Sequence, residues 1–173
     1  MKSLNAALVG NPNCGKTALF NLLTGSRQKV ANYAGVTVER KEGHFVLDQR
    51  QVRILDLPGA YSLKAASPDE EITREICMGN SAYGFHPDVL VCVVDATNLR
   101  LHLRFVLELK ALGKPMLVAL NMMDAAEKRG ITIDVPALSA ALGVPVVPTV
   151  AVSKHGADAL KAALAEDAFG LPP

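Results

Sequence analysis

The sequence has little of what marks several common protein classes. Its three cysteines, Cys14, Cys77 and Cys92, are odd in number and far apart, which excludes a disulfide framework or a zinc knuckle and favours a reducing compartment. The formal net charge is only +1, so nothing indicates binding to nucleic acid or to an anionic membrane. The longest apolar runs, residues 89–94 and 115–120, are far shorter than the roughly 18–20 residues that a membrane-spanning helix needs.

The N-terminal residues also lack the pattern of a secretory signal. They contain one lysine and a short apolar run, without the longer apolar region and small-residue cleavage site of such a signal. Of the 173 residues, 50% are hydrophobic and 20% are charged, a composition that excludes a disordered or collagen-like chain. We therefore expect a soluble, intracellular chain with one packed domain.

Apolar segments of strand length alternate with segments of helical periodicity, and no internal repeat interrupts them. Two of the strands are joined by Asp48-Gln49-Arg50, which has the length and chemistry of a hairpin turn. This order predicts an α/β fold with a mostly parallel sheet, one antiparallel edge hairpin strand, helices on both faces and a ligand site at the carboxyl ends of the strands. The predicted strands are residues 4–9, 43–47, 51–55, 89–94, 115–120 and 144–147.

Most of the remaining chain has features that are typical of helices. Ser67 is predicted to cap a helix, with Glu70 completing a capping box. A later helix is expected to bury an apolar face formed by Leu99, Leu103, Val106 and Leu107. Residues 24–38, polar and rich in glycine and turn formers, are expected to be a mobile loop. The other predicted helices are residues 16–23, residues 135–142 and the segment after Gly156.

The strongest motif is GNPNCGKT at residues 10–17, which matches the phosphate-binding loop G-x-x-x-x-G-K-[ST] at every fixed position. It follows a predicted strand and precedes a predicted helix, as such a loop must. Lys16 would contact the β- and γ-phosphates of a nucleotide, and the Thr17 hydroxyl would bind Mg²⁺. The residues predicted to surround the phosphates are Asn11, Pro12, Asn13, Cys14, Gly15, Lys16, Thr17 and Ala18.

Two further segments are predicted to meet the γ-phosphate and the metal ion. Asp56 begins DLPG at the end of a strand, where it could hold Mg²⁺ through water while the Gly59 N–H approaches the γ-phosphate. Thr37, near Gly35 in NYAGVTVE, could offer its hydroxyl to Mg²⁺ and its N–H to the γ-phosphate. Because hydrolysis removes those contacts, the segment would act as a switch. The alternative for Thr37 is a β-former entering a strand.

The tetrapeptide NMMD at residues 121–124 is predicted to select guanine. The Asp124 carboxylate can accept hydrogen bonds from N1–H and the 2-amino group, a donor pair that adenine lacks. Asn121 would brace the loop and reach the purine N7, and Met122 could pack on the base. Helix capping is the alternative role for Asn121 and Asp124. The backbone predicted to meet guanine O6 belongs to Ala151, Val152 and Ser153.

Together and in this order, GNPNCGKT, NYAGVTVE, DLPGAYSL and NMMD resemble the N-terminal G domain of the ferrous iron transport protein B family, over roughly residues 6–164. The resemblance implies a Ras-like P-loop GTPase fold in residues 1–166, on the cytoplasmic side of the inner membrane. It also implies that residues 167–173 begin a linker to helical and transmembrane domains outside this chain, so that the chain is a fragment of a longer protein. In that family the membrane domain moves Fe²⁺, and oligomerisation would occur through the full-length protein.

The resemblance also implies potassium activation. Asn13 matches an asparagine that helps to bind K⁺ beside the β- and γ-phosphates, with main-chain carbonyls near Ala31 and Tyr33 completing the ion's shell. The cation would then neutralise charge that develops in the transition state. Ala60 stands where many GTPases have a water-positioning glutamine, so hydrolysis is expected to be slow. The residues predicted to take part in hydrolysis are Lys16, Asn13, Thr37 and Gly59.

The residues by themselves leave three alternative functions open. The chain could be a guanine-nucleotide module that signals with negligible hydrolysis, or it could be a free-standing small GTPase. An ATP-using P-loop kinase would require Asn121 and Asp124 to be coincidental. Cys14 has two interpretations as well: a reactive thiol with a pKa lowered by the helix N-terminus, or a small tolerated side chain.

Overall fold

A seven-stranded sheet forms the centre of the computed structural model, which describes residues 2–167 and 169. The strands are β1 Lys2–Gly10, β2 Gln28–Asn32, β3 Glu39–Leu47, β4 Arg50–Asp56, β5 Val89–Asp95, β6 Met116–Asn121 and β7 Val146–Pro148. The helices are α1 Lys16–Thr24, α2 Pro68–Cys77, α3 Leu99–Lys110, α4 Met123–Lys128, α5 Val135–Leu142 and α6 Asp158–Ala165, with a single 3₁₀ turn at Ser81–Tyr83.

The strand order across the sheet is β2-β3-β4-β1-β5-β6-β7. The central strand β1 pairs in parallel with β4 on one side and with β5 on the other, and β6 and β7 continue the parallel pairing. Only β3 runs the other way, because it pairs antiparallel with both β2 and β4. The predicted α/β fold is therefore confirmed, including the antiparallel hairpin toward one edge.

Helices cover both faces of the sheet, and the alternation of side chains along β1 separates two apolar cores. Ala7 and Val9 pack on the face that carries α2, α3, α4 and α5. Ala6 and Leu8 pack on the opposite face, against α1 and α6. Because successive strand residues point to opposite faces, one short apolar strand supplies both cores. Five parallel strands have their carboxyl ends at one edge of the sheet: β1, β4, β5, β6 and β7. This is the edge at which a ligand site is expected.

The structure corrects the prediction that residues 24–38 are a mobile loop, since β2 occupies Gln28–Asn32. This strand is polar and mostly exposed, and even Val30 is 59% exposed, so no buried apolar face marks it in the sequence. Its stability comes from the antiparallel ladder with β3, in which Val30 pairs with Lys41. Backbone pairing with a distant segment leaves no local signal of the kind that predicts a buried strand.

One helix prediction needs correction, one helix was not predicted, and the predicted helix cap is confirmed. Leu107 was expected on the buried face of α3, but it is 55% exposed, and Phe105 and Leu109 are buried instead. The helix α4 was not predicted because six residues are too few to show a helical period. The cap at Ser67 is confirmed, since its hydroxyl accepts a hydrogen bond from the Glu70 N–H at 3.2 Å.

Two observations concern the extent of the chain. Among the described helices, none combines the length and the apolar character that crossing a bilayer requires. Most of the predicted linker, residues 167–173, lies outside the described residues.

Candidate functional site

The phosphate-binding loop joins the carboxyl end of β1 to the start of α1, and two of its glycines are required by close contacts. A Cβ on Gly10 would lie 2.8 Å from the Val93 carbonyl oxygen, so a side chain here would push β1 away from β5. Gly15 has a φ of 83°, and a Cβ there would collide with the Asn121 side chain. The loop can therefore adopt this path only with the glycines that the motif specifies.

The loop borders an open cleft with a volume of about 370 Å³ at the N-terminus of α1. A helix N-terminus presents unbonded N–H groups and a partial positive charge, which suits a chain of phosphates. The side chains of Thr17 and Ala18 are exposed beside it. The residues that line the cleft are Asn11, Pro12, Asn13, Gly15, Lys16, Thr17, Ala18 and Gly59.

Lys16 connects this loop to the carboxyl end of β4. Its Nζ contacts the Asp56 carboxylate and donates a hydrogen bond of 2.6 Å to the Leu57 carbonyl oxygen. Both charged side chains are nearly buried, with 10% of the Lys16 side chain and 7% of the Asp56 side chain exposed. The predicted phosphate ligand and the predicted metal ligand are therefore in direct contact.

The DLPG segment that follows β4 lies against the phosphate-binding loop. The Leu57 N–H bonds to the Leu8 carbonyl oxygen at 3.1 Å, and the Ala60 N–H bonds to the Gly10 carbonyl oxygen at 3.0 Å. Gly59 approaches Pro12 so closely that a Cβ would lie 3.0 Å from the Pro12 Cγ. The structure therefore brings Gly59 to the cleft, where a side chain would require Pro12 to shift by a few tenths of an ångström.

Asn121, at the end of β6, connects three segments by hydrogen bonds. It is 1% exposed, and its Nδ2 donates to the Cys14 carbonyl oxygen at 3.2 Å. Its Oδ1 accepts from the Thr149 hydroxyl at 3.0 Å and from the Ala151 N–H at 3.3 Å. One amide thus ties the phosphate-binding loop to the two segments predicted to hold the base. The sequence does not predict a role for Thr149, because its partner Asn121 lies 28 residues away and no local pattern indicates such a bond.

The residues predicted to read the base follow β6 and β7 directly. Met122 adopts a left-handed φ of 64° and precedes α4, which places Asp124 in the first turn of that helix, partly buried. The loop after β7 is closed by a bond of 2.9 Å from the Val150 N–H to the Gly156 carbonyl oxygen. Val152, at 83% exposed, and Ser153 project from this loop.

The segment that contains Thr37 lies in a separate, open cleft. Gly35 and Thr37 line it together with Tyr33, whereas Thr17 lines the cleft of the phosphate-binding loop. Tyr33 is 1% exposed, and its carbonyl oxygen accepts from the Val36 N–H at 3.2 Å. Ala31, in the ladder of β2, is exposed. In this arrangement Thr17 and Thr37 therefore do not share one cleft.

Tyr33 anchors this segment through aromatic contacts. Its ring meets Tyr83 edge-to-face with centroids 5.6 Å apart, and the Arg40 guanidinium lies 5.6 Å from the ring centroid. Burial raises the pKa of the Tyr33 phenol above its usual range, with the nearby Arg40 charge opposing that shift. The phenol is therefore neutral at physiological pH.

The interpretation of Cys14 as a reactive thiol is wrong. Its side chain is fully buried, and burial raises the pKa of the thiol to about 11, although the charge of Lys16 and backbone hydrogen bonds act in the opposite direction. A thiolate needs solvation or a dominant positive neighbour, and desolvation outweighs both here. Asn11 is also buried, with 2% of the residue exposed, and it lines the cleft.

Comparison with known proteins gives a consistent result. The family described as ferrous iron transport protein B matches residues 4–164. The Fe(2+) transporter FeoB of Escherichia coli is 52% identical over 164 residues, which cover 95% of this chain and 21% of the relative. The chain thus spans about a fifth of the length of the curated relatives that it matches.

Solved structures agree with that match. The G domain of FeoB from T. maritima is 40% identical, with a TM-score of 0.85, and the match covers 96% of this chain and 99% of that chain. A variant of the NFeoB of S. thermophilus bound to GDP is 43% identical, with a TM-score of 0.83, and the match covers 93% of this chain and 61% of that chain.

The burial of Cys14 predicts slow alkylation. With a pKa of about 11, roughly one thiol in a thousand is ionised at pH 8, so iodoacetamide should modify native Cys14 far more slowly than the same cysteine in denatured protein. The rate should still rise about tenfold per pH unit between pH 8 and 10, because each unit raises the thiolate fraction tenfold. Peptide mass spectrometry would follow the modification, and rapid alkylation at pH 7 would contradict the assignment.

Proposed function

The chain belongs to the ferrous iron transport protein B family, and from that premise we propose that it binds GTP and hydrolyses it slowly as a switch domain. One observation carries the proposal: the buried Asn121 amide donates to the phosphate-binding loop and accepts from the Thr149 hydroxyl and the Ala151 N–H. These bonds would hold the proposed phosphate site and the proposed base-reading site next to each other. The GDP found in the S. thermophilus relative supports the same ligand class.

The phosphates would lie in the cleft at the N-terminus of α1, with Lys16 on the β- and γ-phosphates and the backbone of residues 11–18 around them. Mg²⁺ fits the donors present, because this ion typically takes one or two protein oxygens and completes its shell with phosphates and water. The Thr17 hydroxyl and the Asp56 carboxylate would hold it, with Thr37 joining when its segment closes. Bound there, Mg²⁺ would neutralise negative charge on the phosphates.

Guanine would be read at the opposite end of the site. The Asp124 carboxylate would accept from N1–H and the 2-amino group, and the backbone of residues 151–153 would donate to O6. The side-chain amide of Asn121 already forms hydrogen bonds with Cys14, Thr149 and Ala151. We therefore assign Asn121 the role of holding these loops together. Met122, which adopts a left-handed conformation before α4, would pack on the base.

For hydrolysis, we propose that water attacks the γ-phosphorus in line, so that a new O–P bond forms as the bond to the β–γ bridging oxygen breaks. Ala60 is buried and has only a methyl group, so no side chain at that position can orient the water. Lys16, Gly59 and Thr37 would then act on the phosphate itself, and catalysis should be slow. K⁺ near Asn13, which has a φ of 69° at the cleft, would supply the missing positive charge.

At the level of the whole protein, we propose that residues 1–166 are the G domain on the cytoplasmic side of the inner membrane. Residues 167–173 would begin the linker to helical and transmembrane domains that move Fe²⁺, and any oligomer would form through that longer protein. The second candidate function is a guanine-nucleotide module with negligible hydrolysis, which the small, buried Ala60 favours. Single-turnover phosphate release separates the two.

Asp124→Asn should change base selectivity. The amide can no longer accept two hydrogen bonds from guanine, but it can donate to the 2-oxo group of xanthine, so GTP affinity should fall at least about 100-fold while XTP affinity rises. Titration with fluorescent nucleotides measures both. Asp48→Asn, in the exposed hairpin turn, is the matched control and should leave both affinities unchanged. An unaltered preference for GTP over ATP in Asp124→Asn would refute base reading by this residue.

Potassium should accelerate GTP hydrolysis, and Asn13→Ala should abolish the acceleration while leaving GDP affinity within a few fold. The reason is that the asparagine is proposed to bind the ion, whereas the backbone of the loop binds the phosphates. Phosphate release in KCl and in NaCl at equal ionic strength measures the effect, with Asn80→Ala, at an exposed site after α2, as the control. Equal rates of the unmodified chain in the two salts would exclude potassium activation.

A further inference from the structure

We propose that Thr73 is a positioning residue that aims the Gly59 N–H into the phosphate-binding cleft and thereby sets the preference for nucleoside triphosphate over diphosphate. The inference rests on the proposed function, and it concerns a residue of α2 that no motif includes. Thr73 does not line the cleft. Its action would pass through one peptide group of the DLPG segment.

The contact that carries the inference is a hydrogen bond from the Thr73 hydroxyl to the Pro58 carbonyl oxygen, 2.8 Å long. Thr73 is fully buried, as are Ile72 and Ile76 of the same helix, whose start is capped by Ser67. A hydroxyl on a packed helix therefore holds a carbonyl of a loop that would otherwise have more freedom.

The Pro58 carbonyl and the Gly59 N–H belong to the same peptide group. Among the described residues every peptide bond is trans, and in a trans peptide the carbonyl oxygen and the amide hydrogen point in opposite directions. Because the oxygen faces Thr73 on α2, the Gly59 N–H must face away from α2. Gly59 lines the phosphate-binding cleft and packs against Pro12, so the side away from α2 to which its N–H points is taken to be the cleft.

The other amides of this segment are already used or absent. Leu57 and Ala60 donate to the Leu8 and Gly10 carbonyl oxygens of the β1 end, and Pro58 has no N–H. Within the described part of the chain, the Gly59 N–H has no acceptor of its own. Thr73 thus fixes the orientation of the one amide in residues 57–60 that is free to bind a γ-phosphate oxygen.

Only a triphosphate has the phosphate group that this amide would reach. Loss of the Thr73 hydroxyl should therefore weaken triphosphate binding more than diphosphate binding. An intramolecular hydrogen bond of ordinary strength corresponds to a change of about three- to tenfold in an equilibrium constant.

The test compares Thr73→Val, which keeps the shape and removes the hydroxyl, with Thr73→Ser, which keeps the hydroxyl. Dissociation constants would be measured with Mg²⁺ for fluorescent GDP and for a GTP analogue whose β–γ bridge is an imido group. The ratio of the two constants should shift toward GDP by about three- to tenfold in Thr73→Val, and it should stay near the unmodified value in Thr73→Ser. Thr24→Val is the matched control, because the buried Thr24 hydroxyl also bonds a carbonyl, that of Phe20 at 2.8 Å.

An unchanged ratio in Thr73→Val would overturn the inference, including the case in which both ligands lose affinity equally, as expected for a merely structural threonine. If Thr73→Val does not fold, Thr73→Ala compared with Thr73→Ser makes the same test. Failure of the unmodified chain to bind either nucleotide would instead overturn the proposed function. The two failures are therefore distinguishable.

Discussion

The contact between the Lys16 ammonium group and the end of β4 determines how the whole site can work. Lys16 lies on Asp56 and on the Leu57 carbonyl oxygen, with little of either charged side chain exposed. In the proposed site, a phosphate bound by Lys16 would compete with Asp56 for the ammonium group. Asp56 would then be free to face a hydrated Mg²⁺, so the proposal couples phosphate binding and metal binding through one ion pair.

The parallel sheet explains why so few contacts suffice to assemble the site. Strands β1, β4, β6 and β7 all end at one edge of the sheet. The backbone alone therefore brings together four segments: the phosphate-binding loop, DLPG, NMMD and residues 149–153. Asn121 and Thr73 then fix the details: Asn121 bonds the segments proposed to read the base to the phosphate-binding loop, and Thr73 bonds the Pro58 carbonyl oxygen. Both are buried, so their hydrogen bonds compete little with water.

The features predicted correctly have local causes, and the features missed depend on distant contacts. The glycines of the phosphate-binding loop, the hairpin around Asp48 and the cap at Ser67 follow from backbone rules that act over a few residues. By contrast, β2 exists because β3 pairs with it, and the high pKa of Cys14 follows from burial that only the packed domain creates. Thr73 has no motif, because its partner Pro58 lies 15 residues away.

The most direct test of the coupling between Lys16 and Asp56 is GDP affinity of Asp56→Asn measured with Mg²⁺ and with EDTA. Without Mg²⁺ the variant should bind GDP more tightly than the unmodified chain, by about three- to tenfold, because no ion pair must be broken. With Mg²⁺ it should bind more weakly, because the metal ligand is lost. A loss of affinity of equal size in both conditions would contradict the coupling.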